Sequence, residues 1–443
     1  MKRSAWRYLW TSEDIRKKLL ITLGLLILYR LAANIPVPGI DRLALSQLTQ
    51  AGGAAGNLVG LLDLLSGGTV SRFSVLAMGV YPYITAQIIL QLLMPIIPAL
   101  EAKMKENPRE GQKWMEKWTV ILTVPMALLS AVGQINIFNS IAGAPILQIG
   151  FSSDLLLSTA TALLSMIAGT MFGIWLGQLI SEYGIPNQGL SLIIFAGIVS
   201  RLPESLNAIL RDQQRGWWLA IIMLVILALT IFAIVFVQQG RRNVPVMFPG
   251  RRIGNRMSMP VRSNLPLMVN MAGMIPLIFA QSMLTFPAIV ASFFLASKTE
   301  WVANLAKGVS DVFGGNSPWY SLMYFVMVVL FTFFYTDVLF AQQNYGDNLK
   351  KQGAQIPGVT RGGPTQRYLT KVQRRITLPG ALFLGFVAVL PFILGELLNI
   401  QQAGLSLISA AGMLIVVGVV RDTFNIIDTE LKLHGYDDSL IKG

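Results

Sequence analysis

The sequence predicts an all-α polytopic membrane protein with ten transmembrane helices. The first observation is composition, because 53% of the 443 residues are hydrophobic and only 13% are charged, whereas a soluble domain carries about 25% charged residues. The second is a series of ten apolar stretches, most of them near the roughly 20 residues that cross a bilayer. The third is the placement of Lys and Arg, which gather in alternate loops. Together they exclude a soluble enzyme, a secreted disulfide scaffold and a disordered protein.

The ten stretches follow one another along the whole chain, and the fifth is the shortest. They cover residues 18–35, 72–95, 116–138, 153–180, 188–203, 216–238, 265–291, 319–343, 374–395 and 404–426. Pro36 and Pro38 follow the first stretch where a signal peptide would carry a small-residue cleavage site. We therefore expect the first stretch to remain in the protein as a helix.

The orientation of the spans follows from the basic residues. Most of the 35 Lys and Arg residues lie in the N-terminal segment, in the loops after spans two, six and eight, or in the C-terminal tail. The exceptions are Arg30, Arg42, Arg72, Arg201, Arg211, Arg215, Lys298 and Lys307. Positive charge marks the cytoplasmic side of membrane proteins, so both termini are expected in the cytoplasm. Ten spans also permit two five-helix halves of inverted topology.

One apolar segment, residues 57–65, is too short to span. Nine residues of helix cover about 13 Å, and Ser66-Gly67-Gly68 ends the segment. Short elements at membrane depth persist only inside protein or beside a water-filled cavity. We interpret the segment as a re-entrant half-helix in a cavity, and the alternative is an amphipathic helix on the outer surface.

The sequence lacks the residues that most membrane-embedded chemistry requires. It contains no cysteine, and its one histidine, His434, lies near the C-terminus, which disfavours an intramembrane enzyme and cysteine-ligated metal sites. Carboxylates are almost absent from the middle of the spans, and Asp337 lies a turn or two from the end of span eight. We therefore expect no enzymatic activity and no cofactor. Any energy source must come from a partner or from the membrane potential.

Two long loops on the expected cytoplasmic side, 238–263 and 344–373, are strongly basic. Their candidate contact residues are Arg241, Arg242, Arg251, Arg252 and Arg256 in the first, and Lys350, Lys351, Arg361 and Arg367 in the second. One interpretation is that these charges only fix topology. The other is a docking surface for an acidic partner, which the length of the loops favours because a membrane hairpin needs far fewer residues.

Several motifs, in order along the chain, resemble the SecY family of protein-translocation channels. They are Ile35-Pro36-Val37-Pro38-Gly39, Ser66-Gly67-Gly68, Ser71-Arg72-Phe73-Ser74, Met78-Gly79-Val80-Tyr81-Pro82-Tyr83-Ile84, residues 191–199, Asn270-Met271-Ala272-Gly273-Met274-Ile275-Pro276, residues 347–351, Ile356-Pro357-Gly358 and residues 414–417. The second basic loop departs from the family because Thr360 stands before Arg361, where the family's arginine usually follows an Ile or Val directly.

The resemblance implies a clam-shell of two inverted five-helix halves, residues 1–213 and 214–443. Residues 57–66 would form a short plug helix that closes the outer funnel. The plug side chains implied are Leu58, Leu61, Leu62, Asp63, Leu64 and Leu65. A constriction of apolar side chains would sit at the waist, formed by Val80, Ile84, Ile194, Ile278 and Ile415. Without the resemblance, each constriction residue would be interpreted as ordinary helix packing.

The resemblance also implies a lateral gate between spans two and three on one side and spans seven and eight on the other. Gln91, Gln134 and Asn270 lie at positions similar to the family's polar cluster in that seam. The alternative is that each amide satisfies local backbone groups.

The function implied is a protein-conducting channel subunit in a bacterial plasma (inner) membrane. It would pass unfolded secretory preproteins and release hydrophobic segments and signal peptides sideways into lipid. The implied partners are SecE and SecG-like small membrane subunits, a SecA-type motor ATPase and the ribosome. The competing class is a secondary transporter with a half-helix at its substrate site, which the scarcity of mid-span charge disfavours.

Overall fold

The computed structural model describes residues 13–40, 73–94, 97, 100, 108–142, 147, 153–200, 202–203, 216–249, 252–253, 256–257, 261–294, 299–313, 318–398 and 410–433. The helices in these ranges are α1 Glu13–Ala32, α2 Tyr81–Leu93, α3 Pro108–Ala142, α4 Ser153–Tyr183, α5 Gly189–Val199, α6 Gly216–Gln239, α7 Ile275–Phe294, α8 Glu300–Phe313, α9 Pro318–Gln342, α10 Tyr345–Lys351, α11 Gly363–Leu398 and α12 Ala410–Leu433. The strands are β1 Arg241–Phe248, β2 Arg252–Ile253, β3 Arg256–Met257 and β4 Val261–Met268.

Each of the ten predicted spans overlaps one of these helices. Helices α8 and α10 lie outside the predicted spans. Over the described residues, five stretches are long and apolar enough to cross a membrane: Glu110–Asn136, Leu155–Tyr183, Trp217–Gln239, Trp319–Lys351 and Gly363–Leu394. Shorter apolar helical stretches cover Gly189–Val199 and Ile275–Ala288. The prediction of a mostly helical fold, with one helix at each of the ten predicted spans, is confirmed.

Large apolar side chains cover the outside of the bundle, as lipid contact requires. On α6, Trp217 is 74% exposed, Phe232 70% and Phe236 73%. In water such a surface would aggregate, whereas in a bilayer it faces acyl chains. The exposed ring of Trp217, at the start of α6, fits the aromatic belt found at membrane interfaces.

The start of span two is not helical. Residues 73–80 form turns, and Ser74 pairs with Pro36 in an isolated antiparallel bridge. The Val37 amide donates to the Phe73 carbonyl at 3.1 Å, and the Val75 amide donates to the Ile35 carbonyl at 2.9 Å. Helix α2 therefore begins at Tyr81, with Pro82 in its first turn, where a missing N–H costs nothing. Two of the sequence motifs are thus packed against each other.

The core follows the division into halves. One buried cluster joins residues 73–78 to α3 and α4 in the N-terminal half. Another joins α6, α7, α9, α11 and α12 in the C-terminal half. A third belongs mainly to α1, α2, α4 and α5 but also contains Ile415 and Val419 from α12, so the two halves meet there.

The first basic loop contains a β-hairpin rather than irregular chain. Strands β1 and β4 pair antiparallel, from Arg241 opposite Met268 to Phe248 opposite Val261. Val244 and Val246 alternate onto one face and are buried, as the period of two in a strand requires. Span seven, predicted to begin at residue 265, therefore begins as a helix only at Ile275.

The second basic loop is also folded, and it packs on the hairpin. It contains α10 and the first turns of α11, which begins at Gly363. Met247 and Gln355 exchange two backbone hydrogen bonds of 2.8 and 2.9 Å. Val244, Val246 and Leu267 of the hairpin share a buried cluster with Leu349, Ile356 and Leu369. We call β1–β4, α10 and residues 352–375 the hairpin unit.

Candidate functional site

The five predicted constriction residues come from four helices of the two halves. Val80 immediately precedes α2, and the Ile84 amide donates to its carbonyl at 3.2 Å, so the two lie one turn apart. Ile194, Ile278 and Ile415 lie on α5, α7 and α12. All are buried except Ile84, which is partly buried.

The structure brings four of these side chains into one cluster. Val80, Ile194 and Ile415 are buried together, and Ile84 packs against the same cluster. Ile278 is buried one turn after Met274. Met274 packs against both this cluster and the core of the C-terminal half. Side chains of α2, α5 and α12 therefore pack together, and Met274, one turn before Ile278, packs against the same cluster.

The chemistry of this constriction is wholly apolar. None of the five side chains, which are those of valine and isoleucine, carries a hydrogen-bonding group. A ring of branched aliphatic side chains excludes water when narrow and obstructs ions without binding them.

The position of Ile194 depends on a close crossing of α4 and α5. A Cβ added to Gly189 would collide with the Gly177 carbonyl oxygen. The Gly189 amide also donates a hydrogen bond to Ser181 Oγ of α4 at 3.0 Å, which further fixes the position of the start of α5. The preceding turn places Asn187 at φ 59°, a left-handed conformation that Asn tolerates better than most residues. Small residues thus hold the helix carrying Ile194 against its neighbour.

The helices on the two sides of the predicted seam are in contact in this structure. Helix α7 packs against both α2 and α3. Across the seam, Tyr335 Oη of α9 donates to Gln91 Oε1 of α2 at 3.1 Å. Further along the same pair of helices, Gln342 Nε2 lies 3.6 Å from Met94 Sδ. The four helices assigned to the gate are therefore in contact, and a polar latch joins α2 to α9.

A second polar contact crosses from α2 to α7. The side chains of Tyr81 and Ser282 are hydrogen bonded. Ser282 Oγ also donates to the Ile278 carbonyl at 2.6 Å, so this contact reaches the backbone of a constriction residue. Ser282 therefore contacts both a residue of α2 and the backbone of Ile278.

The other two predicted gate amides behave differently from Gln91. Asn270 closes the turn before α7, because its Oδ1 accepts from the Gly273 amide at 3.0 Å and its Nδ2 donates to the Gly273 carbonyl at 3.3 Å. Gln134 on α3 is buried, and its Oε1 has no hydrogen-bond partner within the described residues. Asn270 therefore bonds to local backbone groups, as in the alternative interpretation of these amides. The Gln134 oxygen is buried without a hydrogen-bond partner among the described residues.

Sequence reasoning missed Tyr335, Tyr81 and Ser282 as seam residues. A usable signal exists for Tyr335, since a tyrosine inside a span needs a partner for its hydroxyl. The partner itself could not be identified, because Gln91 lies 244 positions away. Asp337 has a plainer role, since its carboxylate pairs with Arg374 of α11 at 2.9 Å.

The described basic residues of the hairpin unit lie on its surface. Of the predicted docking residues, Arg241, Arg242, Lys350, Lys351, Arg361 and Arg367 are exposed, and so are their neighbours Arg262, Lys371, Arg374 and Arg375. Arg252 and Arg256 lie in the short hairpin β2–β3, and Arg251 lies outside the described residues. A cleft of about 790 Å³ runs along the start of α11 and is lined by Arg367, Lys371, Arg374, Arg375 and neighbouring residues of the same helix. Six of the nine predicted docking residues are therefore exposed in the part of the chain that the structure describes.

The remaining candidate sites are the plug segment and any metal-binding group. The plug segment, 57–66 with Leu58, Leu61, Leu62, Asp63, Leu64 and Leu65, lies outside the described residues. Among the residues that are described, no group of three or more His, Cys, Asp or Glu could hold a metal ion.

Comparison with known proteins decides the family. A family model for SecY matches residues 74–424. This chain belongs to the SecY family. It is 36% identical over 446 residues to the protein translocase subunit SecY of Streptomyces scabiei, with 99% of each chain covered. The corresponding subunit of Haemophilus influenzae is 36% identical over 433 residues, covering 97% of this chain and 94% of the relative.

The solved structures agree with this assignment at the level of fold. A protein-conducting channel aligns with a TM-score of 0.62 and 17% identity, covering 96% of this chain and 94% of the other. A SecY structure concerned with the plug domain and the closed channel aligns with a TM-score of 0.60, 18% identity and the same coverage. The SecY resemblance and the clam-shell fold class are therefore confirmed.

Proposed function

We propose that this SecY-family chain is the channel subunit of a protein translocase, without enzymatic activity of its own. The observation that carries the proposal is the apolar constriction, to which α2, α5, α7 and α12 all contribute. A site built from aliphatic side chains at the junction of two halves suits a polymer that must slide without being held. The names of its relatives, protein translocase subunits, support the same function.

The proposed mechanism begins at the hairpin unit. A SecA-type motor ATPase or a ribosome docks on its exposed Arg and Lys residues and feeds an unfolded preprotein toward the constriction. Residues 57–66 act as the plug and move aside. The constriction side chains then seal around the chain, because apolar contacts yield without hydrogen bonds that must be exchanged.

Lateral release uses the seam between α2–α3 and α7–α9. The latch between Gln91 and Tyr335 is weak, because hydrogen bonds between helices in membranes contribute about 0.6 kcal/mol on average. A sufficiently apolar signal peptide can compete with such contacts and leave into lipid. Gln134 and Asn270 remain proposed members of this gate. The buried Gln134 Oε1 has no hydrogen-bond partner among the described residues, and Asn270 closes the turn that precedes α7.

We place the chain in a bacterial plasma (inner) membrane with both termini in the cytoplasm. The basic hairpin unit supports this orientation. SecE and SecG-like small membrane subunits are the proposed companions, since two halves that separate need an external brace.

The proposed channel function is tested by crosslinking a stalled preprotein to the constriction. Because the chain contains no cysteine, Ile84→Cys gives a single reactive thiol that should crosslink to a cysteine in the arrested substrate. Ile174→Cys is the matched control, since Ile174 is buried in the same cluster but lies on α4. Crosslinking at both positions or at neither would contradict the proposed path. Counterflow of a small solute in liposomes without any partner would favour the transporter class instead.

The proposed latch predicts the behaviour of Tyr335→Phe. This change removes one hydroxyl, so lateral release of a marginally hydrophobic segment should rise about threefold, as the loss of about 0.6 kcal/mol implies. Gln91→Leu should give a similar rise, and the double variant should add little to either. Additive effects in this double-mutant cycle, measured by the fraction of segment inserted, would show that the two side chains act independently.

A further inference from the structure

Helix α8 lies at the end of the molecule opposite the hairpin unit. Helix α7 starts just after β4 and ends at Phe294, and α9 starts at Pro318 and returns to α10. The helix between them, Glu300–Phe313, packs against both. It therefore joins the outer ends of the two C-terminal seam helices.

One face of α8 attaches it to the protein. Ala306 is buried, and Phe313, seven residues later, packs against the core of the C-terminal half. Residues seven apart lie on the same side of a helix after about two turns. Through this face, α8 is packed against the C-terminal half.

A second apolar face of α8 points away from the protein. Trp301 is 71% exposed and Leu305, one turn later, is 52% exposed. A Cβ added at Gly308 would meet nothing within 4 Å. With Val312, these residues follow a spacing of four, three and four, which aligns them in one stripe. The exposed, charged or amide-bearing residues Glu300, Asn304 and Lys307 lie on a separate face.

The outward stripe continues surfaces that already face lipid. Phe294 at the end of α7 is 50% exposed, and Trp319 and Leu322 at the start of α9 are 65% and 54% exposed. Trp residues concentrate where a membrane meets water. An exposed stripe that adjoins the lipid-facing sides of two spans, with a wet polar face beside it, matches an interfacial helix.

We infer that α8 lies in the lipid interface of the leaflet opposite the hairpin unit. Trp301 and Leu305 insert at the boundary between headgroups and acyl chains, roughly 5–10 Å deep as for other interfacial helices. Lys307 and Glu300 remain in water. The outer ends of α7 and α9 are thereby held at one depth, so these seam helices move together along the membrane surface. The inference needs only a membrane and does not depend on the proposed channel function.

Single-cysteine labelling tests the inference directly, because the chain contains no cysteine. Leu305→Cys places a label on the stripe, and Lys307→Cys places the same label on the polar face of the same helix. Each full-length variant is purified with its companion subunits, labelled with an environment-sensitive fluorophore and reconstituted in phospholipid vesicles. Quenching is measured with iodide in the water and with lipids carrying a nitroxide near the headgroup.

We expect the label at 305 to be quenched at least threefold more by the nitroxide lipid than the label at 307, and the label at 307 to be quenched more by iodide. Equal iodide quenching at the two positions would place the stripe in water and overturn the inference. Shielding of position 305 from both quenchers would mean that a protein subunit covers it, which would also overturn the inference. Circular dichroism and elution volume confirm that both variants are folded.

Discussion

Replacing Ile84, Ile194, Ile278 and Ile415 together with Asn is expected to raise resting ion conductance at least about tenfold, equivalent to a barrier lowered by about 1.4 kcal/mol. Ile84, Ile194 and Ile415 pack in one cluster, and Ile278 is buried one turn after Met274, which packs against that cluster. Amide groups hold water where branched aliphatic groups exclude it, so a narrow wetted path should persist. The measurement is the current through planar bilayers containing the purified channel with no translocating substrate.

The control for the constriction is a buried isoleucine outside it. Ile174 is 3% exposed and belongs to the same cluster, so Ile174→Asn tests whether lost packing alone opens a path. A single Ile194→Asn variant provides the matched comparison. Leakage of similar size from both single variants would attribute the current to a loosened core. Unchanged conductance in the fourfold variant would remove these residues from the gate.

Reversing the charges of Lys350 and Lys351 to Glu is expected to weaken binding of the cytoplasmic motor or ribosome about tenfold at low salt. Both lysines are exposed on α10 of the hairpin unit, so the change removes attraction to an acidic partner without disturbing a core. Charged residues at the edge of an interface mainly change the association rate. Salt weakens their attraction, because charges more than about 10 Å apart are largely screened at 0.1 M ionic strength. Affinity measured at two salt concentrations should therefore differ less in the variant than in the parent protein.

The control for docking is Lys307→Glu, because that lysine is also exposed but lies on α8 at the opposite end of the molecule. It should leave partner binding unchanged. Arg251→Glu with Arg252→Glu should weaken binding in the same direction as the α10 pair. If membrane insertion is normal and binding is equal in all variants, the basic residues only determine topology.

The hairpin unit illustrates what sequence patterns could not reveal. Its basic residues were apparent from the sequence, and so was their common side of the membrane. The alternation that buries Val244 and Val246 covers only eight residues, and it was obscured by the proline and arginine residues around it. The pairing of Met247 with Gln355 joins segments more than a hundred positions apart, so neither loop alone predicts it.

The partners of the predicted gate amides also could not be predicted from the sequence. Gln91 was predicted from the resemblance and does bond across to α9, whereas Asn270 bonds within its own turn. Both are amides beside an apolar helix, so their local sequences look alike. What separates them is whether a partner from another helix comes within hydrogen-bond distance, which depends on how the helices pack.

The sequence by itself determined that most of the chain lies in lipid, that it has ten spans, and that its positive charge collects in alternate loops. These properties depend on the transfer of each segment between water and lipid, which is set by local composition. Only the tertiary structure decided that Val80, Ile84, Ile194 and Ile415 meet, that Tyr335 faces Gln91, and that α8 turns Trp301 outward. Those outcomes depend on contacts between distant segments, and apolar side chains carry no local mark of which neighbour they will meet.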